Sequence, residues 1–198
     1  MPKISSYTSV TPSLTDKLIG TDANDSLSTK NFTVGSILNL YGGATLELTS
    51  SSTATQDTDS NVLTQIVFQN SGTVSGSNAS LDSAGNLTFS TEGTYYIDLG
   101  LHKGLTSNIT VAGMKQMSFG VFKNGTQTMY SIKDTQYYSA NAGIGNAEYI
   151  NMSFLINVSA DDVLTFKMIT NAVSTGLVSQ SQAELSVIPS ANITVFKF

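Results

Sequence analysis

The sequence has one histidine, His102, and no cysteine, so nucleophilic catalysis of the serine-hydrolase type would depend on that single imidazole. Such chemistry needs the histidine beside an activated serine and a carboxylate. The chain contains no Gly-x-Ser-x-Gly elbow, and His102 falls on the polar side of an alternating segment. We therefore predict that His102 is a surface or interface residue and not a catalytic one.

A second candidate for chemistry is a short acidic run that begins with the spacing of a calcium-binding loop, at Asp57, Asp59 and Asn61. An EF-hand loop also needs glycine at its sixth position and glutamate at its twelfth. Those positions hold Val62 and Phe68. The sequence therefore predicts a solvated loop here and no metal site.

Two adjacent acids, Asp161 and Asp162, could serve a glycoside hydrolase only if another carboxylate approached them across the fold. They follow Ser159 and Ala160 between two apolar alternating runs, where Asp side chains commonly cap a turn. We predict a turn at this position. No cofactor and no enzymatic activity are expected from the sequence.

The pair Tyr137 and Tyr138 precedes a segment rich in Ser, Asn and Gly that ends near Gly145, which indicates an exposed loop. Aromatic rings there could stack on the sugars of a host-surface glycan, or they could pack at a subunit interface. The sequence leaves both alternatives open, and the two tyrosines are candidate receptor contacts.

Composition restricts the elements that could position these residues. The chain has 198 residues, is 40% hydrophobic and only 12% charged, and carries a formal net charge of -5. All its basic residues are lysines, so the arginine forks typical of nucleic-acid recognition are missing. No segment reaches the ~20 apolar residues of a membrane span. We expect one β-rich domain that binds neither nucleic acid nor membrane.

The chain divides into three parts by composition. Residues 1–45 have sparse apolar positions and predict an extended N-terminal arm, with a short strand near Phe32 and one or two helical turns up to Tyr41. Residues 46–61 are rich in Ser, Thr and Asp, have few apolar residues and predict a linker or loop. Residues 62–198 form the predicted domain.

Apolar residues alternate with polar ones through most of residues 62–198, which predicts strands. Tyr95, Ile97, Leu99 and Leu101 share one face of such a strand. Asn124-Gly125 supplies the positive φ angles of a hairpin turn. About eight strands are expected without a helix, the count of a sandwich or jelly roll.

Three motifs in order give this domain a family resemblance: LTFSTEGTYYI at 87–97, FGVFKNG at 119–125 and VSADDVLTF at 158–166. Together they resemble the jelly roll of tumour necrosis factor (TNF) and of complement and collagen-like heads, a fold that phage fibre knobs share. Family members usually have Gly-Asp where this chain has Asp161-Asp162. The resemblance implies an all-β, TNF-like antiparallel jelly-roll sandwich that forms a homotrimer.

The resemblance also implies which residues build the core and the trimer interface. They are the large apolar residues of the predicted long strands: Tyr95, Ile97, Phe119, Phe154, Phe166, Phe196 and Phe198.

The N-terminal part resembles the segment that anchors many phage virion and fibre proteins, on the motifs KIS at 3–5, DKLIGTD at 16–22 and STKNFTVGSIL at 28–38. In that pattern a strand is followed by a hairpin and a short helix. The resemblance implies attachment to other virion proteins, of the capsid or tail, through the apolar residues Ile4, Leu18, Ile19, Phe32, Val34, Ile37 and Leu38.

These resemblances imply a non-enzymatic structural protein at the surface of a phage particle, a trimeric head fibre or capsid decoration protein. The alternative is a receptor-binding tail-fibre tip that recognises host-surface carbohydrate. A hydrolase of cell-envelope glycans is the third hypothesis, and it lacks a catalytic constellation.

Overall fold

The computed structural model describes residues 17–22, 28–33, 44–74, 76–144, 147–182 and 185–198. The chain divides into two compact units, Met1–Ala44 and Thr45–Phe198. No helix among the described residues is both long enough and apolar enough to cross a membrane.

In the first unit, β1 (Lys17–Asp22) and β2 (Ser28–Thr33) pair as an antiparallel hairpin. Leu18 and Phe32 are register partners in it. Both strands coincide with segments that the sequence predicts as extended. The helix predicted to end near Tyr41 lies outside the described residues.

The second unit consists of short and long strands along the chain. They are β3 (Thr45–Ser52), β4 (Gln56–Asp57), β5 (Thr64–Gln65), β6 (Asn70–Val74), β7 (Ala79–Leu81), β8 (Asn86–Phe89), β9 (Gly93–Leu105), β10 (Gly113–Lys123), β11 (Thr126–Tyr138), β12 (Ala147–Val158), β13 (Val163–Thr170), β14 (Thr175–Leu177), β15 (Gln180–Gln182), β16 (Leu185–Ile188) and β17 (Ala191–Lys197).

Two antiparallel sheets stack in this unit. The inner sheet has the order β12-β9-β17-β3-β6, and β14 and β4 extend it beside β9. The outer sheet has the order β11-β10-β13-β8-β7, with β5 added to β13. A separate hairpin joins β15 to β16. The β10–β11 and β7–β8 pairs are hairpins, but the other neighbours, such as β9 with β17 and β13 with β8, are distant in sequence, which is the topology of a jelly roll.

The alternation read from the sequence determines which side chains fill the space between the sheets. Tyr95, Ile97, Leu99 and Leu101 of β9 are fully buried, as predicted. The outer sheet contributes its own alternate residues to the same core: Leu87, Phe89, Met117, Phe119, Val121, Leu164, Phe166 and Met168. The prediction of a two-layer, all-β domain is confirmed.

The predicted linker at 46–61 is wrong, because its first half is β3, which lies between β17 and β6 in the inner sheet. Leu48 faces the core, but the next inward positions are Ser50 and Ser52, which are also buried. Because these inward residues are serines, the segment shows no alternation of apolar and polar residues, and the sequence does not indicate a strand. The domain therefore begins at Thr45 and not at residue 62.

The second half of the predicted linker is also ordered against the domain. The side-chain amide of Gln56 is buried and exchanges two hydrogen bonds with the backbone of Val67: Nε2 donates to the carbonyl at 2.9 Å, and Oε1 accepts from the amide at 2.8 Å. A side chain thus substitutes for a strand partner at this point.

Candidate assembly surface

His102 lies in β9, half-buried on the side of the inner sheet that faces away from the core. Its Nδ1 lies 2.8 Å from the Pro189 carbonyl and donates to it, and its ring centroid is 5.0 Å from that of Tyr149. Neither contact brings a nucleophile to the imidazole. The structure therefore places His102 in a structural contact.

The predicted loop at Asp57 is held by hydroxyl and backbone donors. Asp57 Oδ1 accepts from the Thr106 hydroxyl at 2.8 Å and from the Thr58 amide at 2.9 Å. Among the residues that the structure describes, no group of three or more His, Cys, Asp or Glu side chains is placed to hold a metal ion.

The two acids at 161–162 form the turn between β12 and β13. Asp161 has φ 65°, the left-handed conformation of a tight turn. The Asp162 carboxylate accepts from the Ser159 amide at 2.7 Å and Asn124 Nδ2 at 2.7 Å, and it pairs with Lys123 Nζ at 2.6 Å. The hydrogen bond from Lys123 lowers the pKa of Asp162 to about 2, with smaller contributions from Ser159 and Asn124, against the opposing effect of burial. The carboxylate thus remains an ionised turn cap.

The candidate receptor contacts Tyr137 and Tyr138 lie in strand β11, and the prediction of an exposed loop is wrong for Tyr138. Its side chain is 2% exposed, in a small cluster with Leu105, Ile109 and Ala142. Burial and the nearby Glu148 carboxylate raise the pKa of Tyr138 to about 12. Successive strand residues face opposite sides, so Tyr137 is 62% exposed.

Beside Tyr138, Lys103 connects the two sheets through ion pairs. Its side chain is 3% exposed and its ammonium contacts the Asp134 carboxylate of β11. A second pair reaches Glu148 Oε2 of β12 at 3.3 Å. Both carboxylates are more exposed than the lysine, so the buried cation is neutralised from its solvent side.

Five of the predicted core and interface residues lie inside the subunit. Tyr95, Ile97, Phe119, Phe154 and Phe166 are at most 7% exposed and pack in the core between the sheets. They contribute to the subunit's own core, and Phe154 also lines a cleft between β11 and β12.

The other two predicted residues lie at the C-terminus. Phe196 is half-buried on the outward side of the inner sheet, and Phe198 is 56% exposed. Truncation of either side chain to alanine would therefore change the surface of the subunit more than its core.

Of the predicted attachment residues, Leu18, Ile19 and Phe32 lie on the β1–β2 hairpin. The remaining four lie outside the described residues: Ile4, Val34, Ile37 and Leu38. Their role in attachment stays a prediction.

An apolar row crosses four strands on the outward side of the inner sheet. Backbone pairing places Leu155 of β12 opposite Tyr96 of β9, Tyr96 opposite Phe196 of β17, and Phe196 opposite Leu46 of β3. The ring centroids of Tyr96 and Phe196 are 6.3 Å apart, and Leu155 is 51% exposed. The alternation in β9 predicts that Tyr96 faces solvent or a subunit, but neither Tyr96 nor Leu155 is among the predicted interface residues.

Polar rows continue along the same side of the sheet. Asp98 Oδ1 accepts from the Ser153 hydroxyl at 2.5 Å, and Tyr149 lies over Gly100. A Cβ at Gly100 would lie 2.3 Å from the Tyr149 hydroxyl oxygen, so glycine lets that ring lie against the sheet. We call this whole side of the inner sheet the outward face.

A second surface of different shape lies where β11 and β12 run side by side, one from each sheet. Tyr130 of β11 stacks on Phe154 of β12, with centroids 4.4 Å apart and planes 21° apart. The Tyr130 hydroxyl donates to the Leu155 carbonyl at 2.5 Å. Met129 beside them is 87% exposed at a cleft of about 320 Å³. We call this surface the β11–β12 edge.

The fold is a TNF-like antiparallel jelly roll. Eiger TNF from S. frugiperda superposes with a TM-score of 0.51 at 10% identity, over 78% of this chain and 92% of that one. The crystal structure of murine APRIL at pH 5.0 gives a TM-score of 0.47 at 10% identity, over 79% and 100% of the two chains. No protein-family model and no curated protein sequence matches the chain. At such identity the likeness to Eiger TNF shows the fold alone.

Proposed function

We propose that this chain is a non-enzymatic structural protein of a phage virion, a homotrimeric head fibre or capsid decoration protein. The observation that carries the proposal is the apolar row of Leu46, Tyr96, Leu155 and Phe196 on the outward face. A contiguous row of large apolar side chains on a sheet face commonly marks a protein contact.

Assembly into a closed ring would use two different surfaces of the subunit. The outward face and the β11–β12 edge differ in residues and in shape, so a contact between them is head-to-tail and repeats from copy to copy. Such a contact closes when the rotation divides the circle, and the TNF-like resemblance favours three copies. A trimer built this way would cover the aromatic residues of both surfaces.

Attachment to the particle would use the N-terminal unit. Met1–Ala44 is one of the two compact units of the chain, and its described residues include the β1–β2 hairpin. A small unit that precedes the jelly roll in the sequence suits a protein that is attached through one unit and displays the other. We propose that its partner is another virion protein at the particle surface.

The first test is the mass of the purified chain by light scattering. We expect three times the chain mass of 20.9 kDa, and a monomer mass would overturn the assembly proposal. Phe196→Glu places a charge in the apolar row and should give a folded monomer. Val111→Glu changes a residue that is 74% exposed in the β9–β10 connection, and it should remain trimeric.

The second test is immunogold labelling of intact virions with an antibody against the jelly roll. Label on the head supports the proposed function. Label at the tail tip would favour the receptor-binding alternative, for which Tyr137, 62% exposed at the end of β11, is an available aromatic contact. Virions without label would exclude both functions.

A further inference from the structure

A groove of about 480 Å³ lies on the outer sheet, on the side that faces away from the core. It crosses three neighbouring strands, β11, β10 and β13. Phe119 and Val121 point into the core, so the residues that alternate with them in β10 point into the groove. The groove therefore lies on the opposite side of the subunit from the outward face of the inner sheet, and it adjoins the β11–β12 edge, with which it shares Ser131 and Ile132.

Small residues make the floor of this groove. Gly120 of β10 is paired with Ser131 of β11 on one side and with Lys167 of β13 on the other. Ser118, two residues earlier, is paired with Lys133 of β11. Larger side chains rise around the two serines and the glycine, so the depth of the groove follows directly from residue size.

Gly120 is not required by the fold. It is not among the described glycines with positive φ, and a Cβ there would lie 3.5 Å from Phe122 Cε2 and 3.6 Å from Gln127 Nε2, ordinary contact distances. Glycine inside a strand weakens the sheet and often marks a site where a ligand approaches the backbone. The open floor is thus a feature that packing does not explain.

The register of β11 also changes beside this glycine. The pairing of β10 with β11 shifts between Gly120 and Phe122, and the Thr128 hydroxyl donates to the Val121 carbonyl at 2.9 Å within the irregular stretch. Bulges of this kind redirect side chains and are frequent next to binding sites.

The walls carry positive charge and an aromatic ring. The Lys167 ammonium lies 4.6 Å from the centroid of the Phe122 ring, and Lys133 lines the groove as well. Within the described part of the chain, no Asp or Glu lines this groove and neither lysine has a described ion pair. On a chain with a net charge of -5, the groove is a local site for an anion.

We propose that this groove binds a saccharide that carries a negative charge, as a carboxylate or a phosphate. The sugar ring would pack on Phe122 and the floor glycine, and its hydroxyls would meet the hydroxyls of Ser118 and Ser131. The charged group would pair with Lys167 and Lys133. Ligand pockets of ~300–1,000 Å³ suit small molecules of this size. This binding goes beyond the structural function proposed above and depends on neither the trimer nor the attachment.

The test is calorimetric titration of the full chain with four probes: cellobiouronic acid, glucose 6-phosphate, cellobiose and inorganic phosphate. We expect at least one of the two charged sugars to bind at least tenfold more tightly than cellobiose and than phosphate alone. Cellobiouronic acid carries a carboxylate and glucose 6-phosphate carries a phosphate, so the two titrations show which charged group the groove binds. Failure of both charged sugars, or equal binding of cellobiose or inorganic phosphate, would overturn the proposal.

Two matched pairs of variants locate the site. Gly120→Leu fills the floor and should weaken binding at least tenfold, whereas Gly113→Leu changes a glycine of the same strand whose Cβ would meet nothing within 4 Å, and should bind normally. Lys167→Gln should reduce binding of the charged sugar to the level of cellobiose, and Lys115→Gln, outside the groove, should not.

Light scattering and thermal melting accompany each titration. All four variants should keep the mass and the cooperative melting of the parent chain, because none of the four changed residues lines the β11–β12 edge or belongs to the apolar row. Normal binding by Gly120→Leu, or an equal loss in Gly113→Leu, would exclude this groove as the site whatever the assembly state proves to be.

Discussion

At the residue scale, the turn between β12 and β13 depends on one carboxylate. Asp162 joins Ser159, Lys123 and Asn124, which ties the β12–β13 turn to the end of β10 and the turn that follows it. Asp162→Asn should cost about 1–3 kcal/mol in the free energy of unfolding, since it leaves these donors incompletely paired. Asp161→Asn is the matched control: asparagine tolerates the left-handed φ of 65° there, so little change is expected in denaturant titrations.

The same carboxylate gives the chain a predicted pH dependence. The pKa of Asp162 is lowered from 3.8 to about 2 in the folded protein, so the unfolded chain binds the proton more readily. The stability that Asp162 contributes is therefore fully present above pH 3.8 and is lost as the pH falls through about 2. Melting temperatures of the parent and Asp162→Asn should converge over this interval, and an unchanged difference would contradict the assignment.

Because the charge of Lys103 is buried, we expect the loss of its partner Asp134 to cost more stability than the loss of the lysine itself. Asp134→Asn leaves a lysine that is 3% exposed with Glu148 as its remaining described acidic partner, and should cost about 3–5 kcal/mol in the free energy of unfolding. Lys103→Met removes the buried cation, and both carboxylates are open enough to regain water. It should be nearly neutral in the same denaturant titration. A larger loss in the free energy of unfolding for Lys103→Met than for Asp134→Asn would contradict this prediction.

At the element scale, β3 decides where the domain begins. A chain that starts at Ala44 should fold and melt cooperatively, whereas a chain that starts at Val62 should be insoluble or unfolded. The shorter chain lacks the strand between β17 and β6, which exposes the backbone of β17 and removes Leu48 from the core. Circular dichroism and soluble yield of the two chains test this, and a folded chain from Val62 would show that β3 is dispensable.

The difference between β3 and β9 shows what the sequence reveals about such elements. In β9 the inward positions from residue 95 to residue 101 are all apolar, at Tyr95, Ile97, Leu99 and Leu101, so the strand and its buried face could be predicted. In β3 the inward positions after Leu48 are serines, and burial there depends on partners that come from the far end of the chain. Local pattern predicts a strand only where the buried residues are themselves apolar.

The same limit applies to the surfaces. The hairpin turn at Asn124-Gly125, with φ of 50° and 81°, follows from local chemistry and was predictable. The apolar row on the outward face unites residues 46, 96, 155 and 196, which only the strand order brings together. The groove around Gly120 likewise needs the register of three strands, so neither surface could be read from the sequence.

At the scale of the whole molecule, the proposed trimer predicts how damaged subunits combine. Phe196→Glu alters the outward face but leaves the β11–β12 edge intact, and Met129→Glu alters the edge at a residue that is 87% exposed but leaves the face intact. Each variant alone should be a folded monomer, because every contact in the ring joins one face to one edge. The two carry complementary intact surfaces.

An equal mixture of the two variants should therefore form a 1:1 heterodimer and nothing larger. The intact face of Met129→Glu can meet the intact edge of Phe196→Glu, after which both free surfaces of the pair carry a glutamate. Light scattering of the mixture measures this mass directly. The control is a mixture of Phe196→Glu with Val111→Glu, which keeps both surfaces and should remain trimeric. If Phe196→Glu and Met129→Glu instead remained monomers when mixed, while the parent chain is a trimer, the face-to-edge arrangement would be wrong.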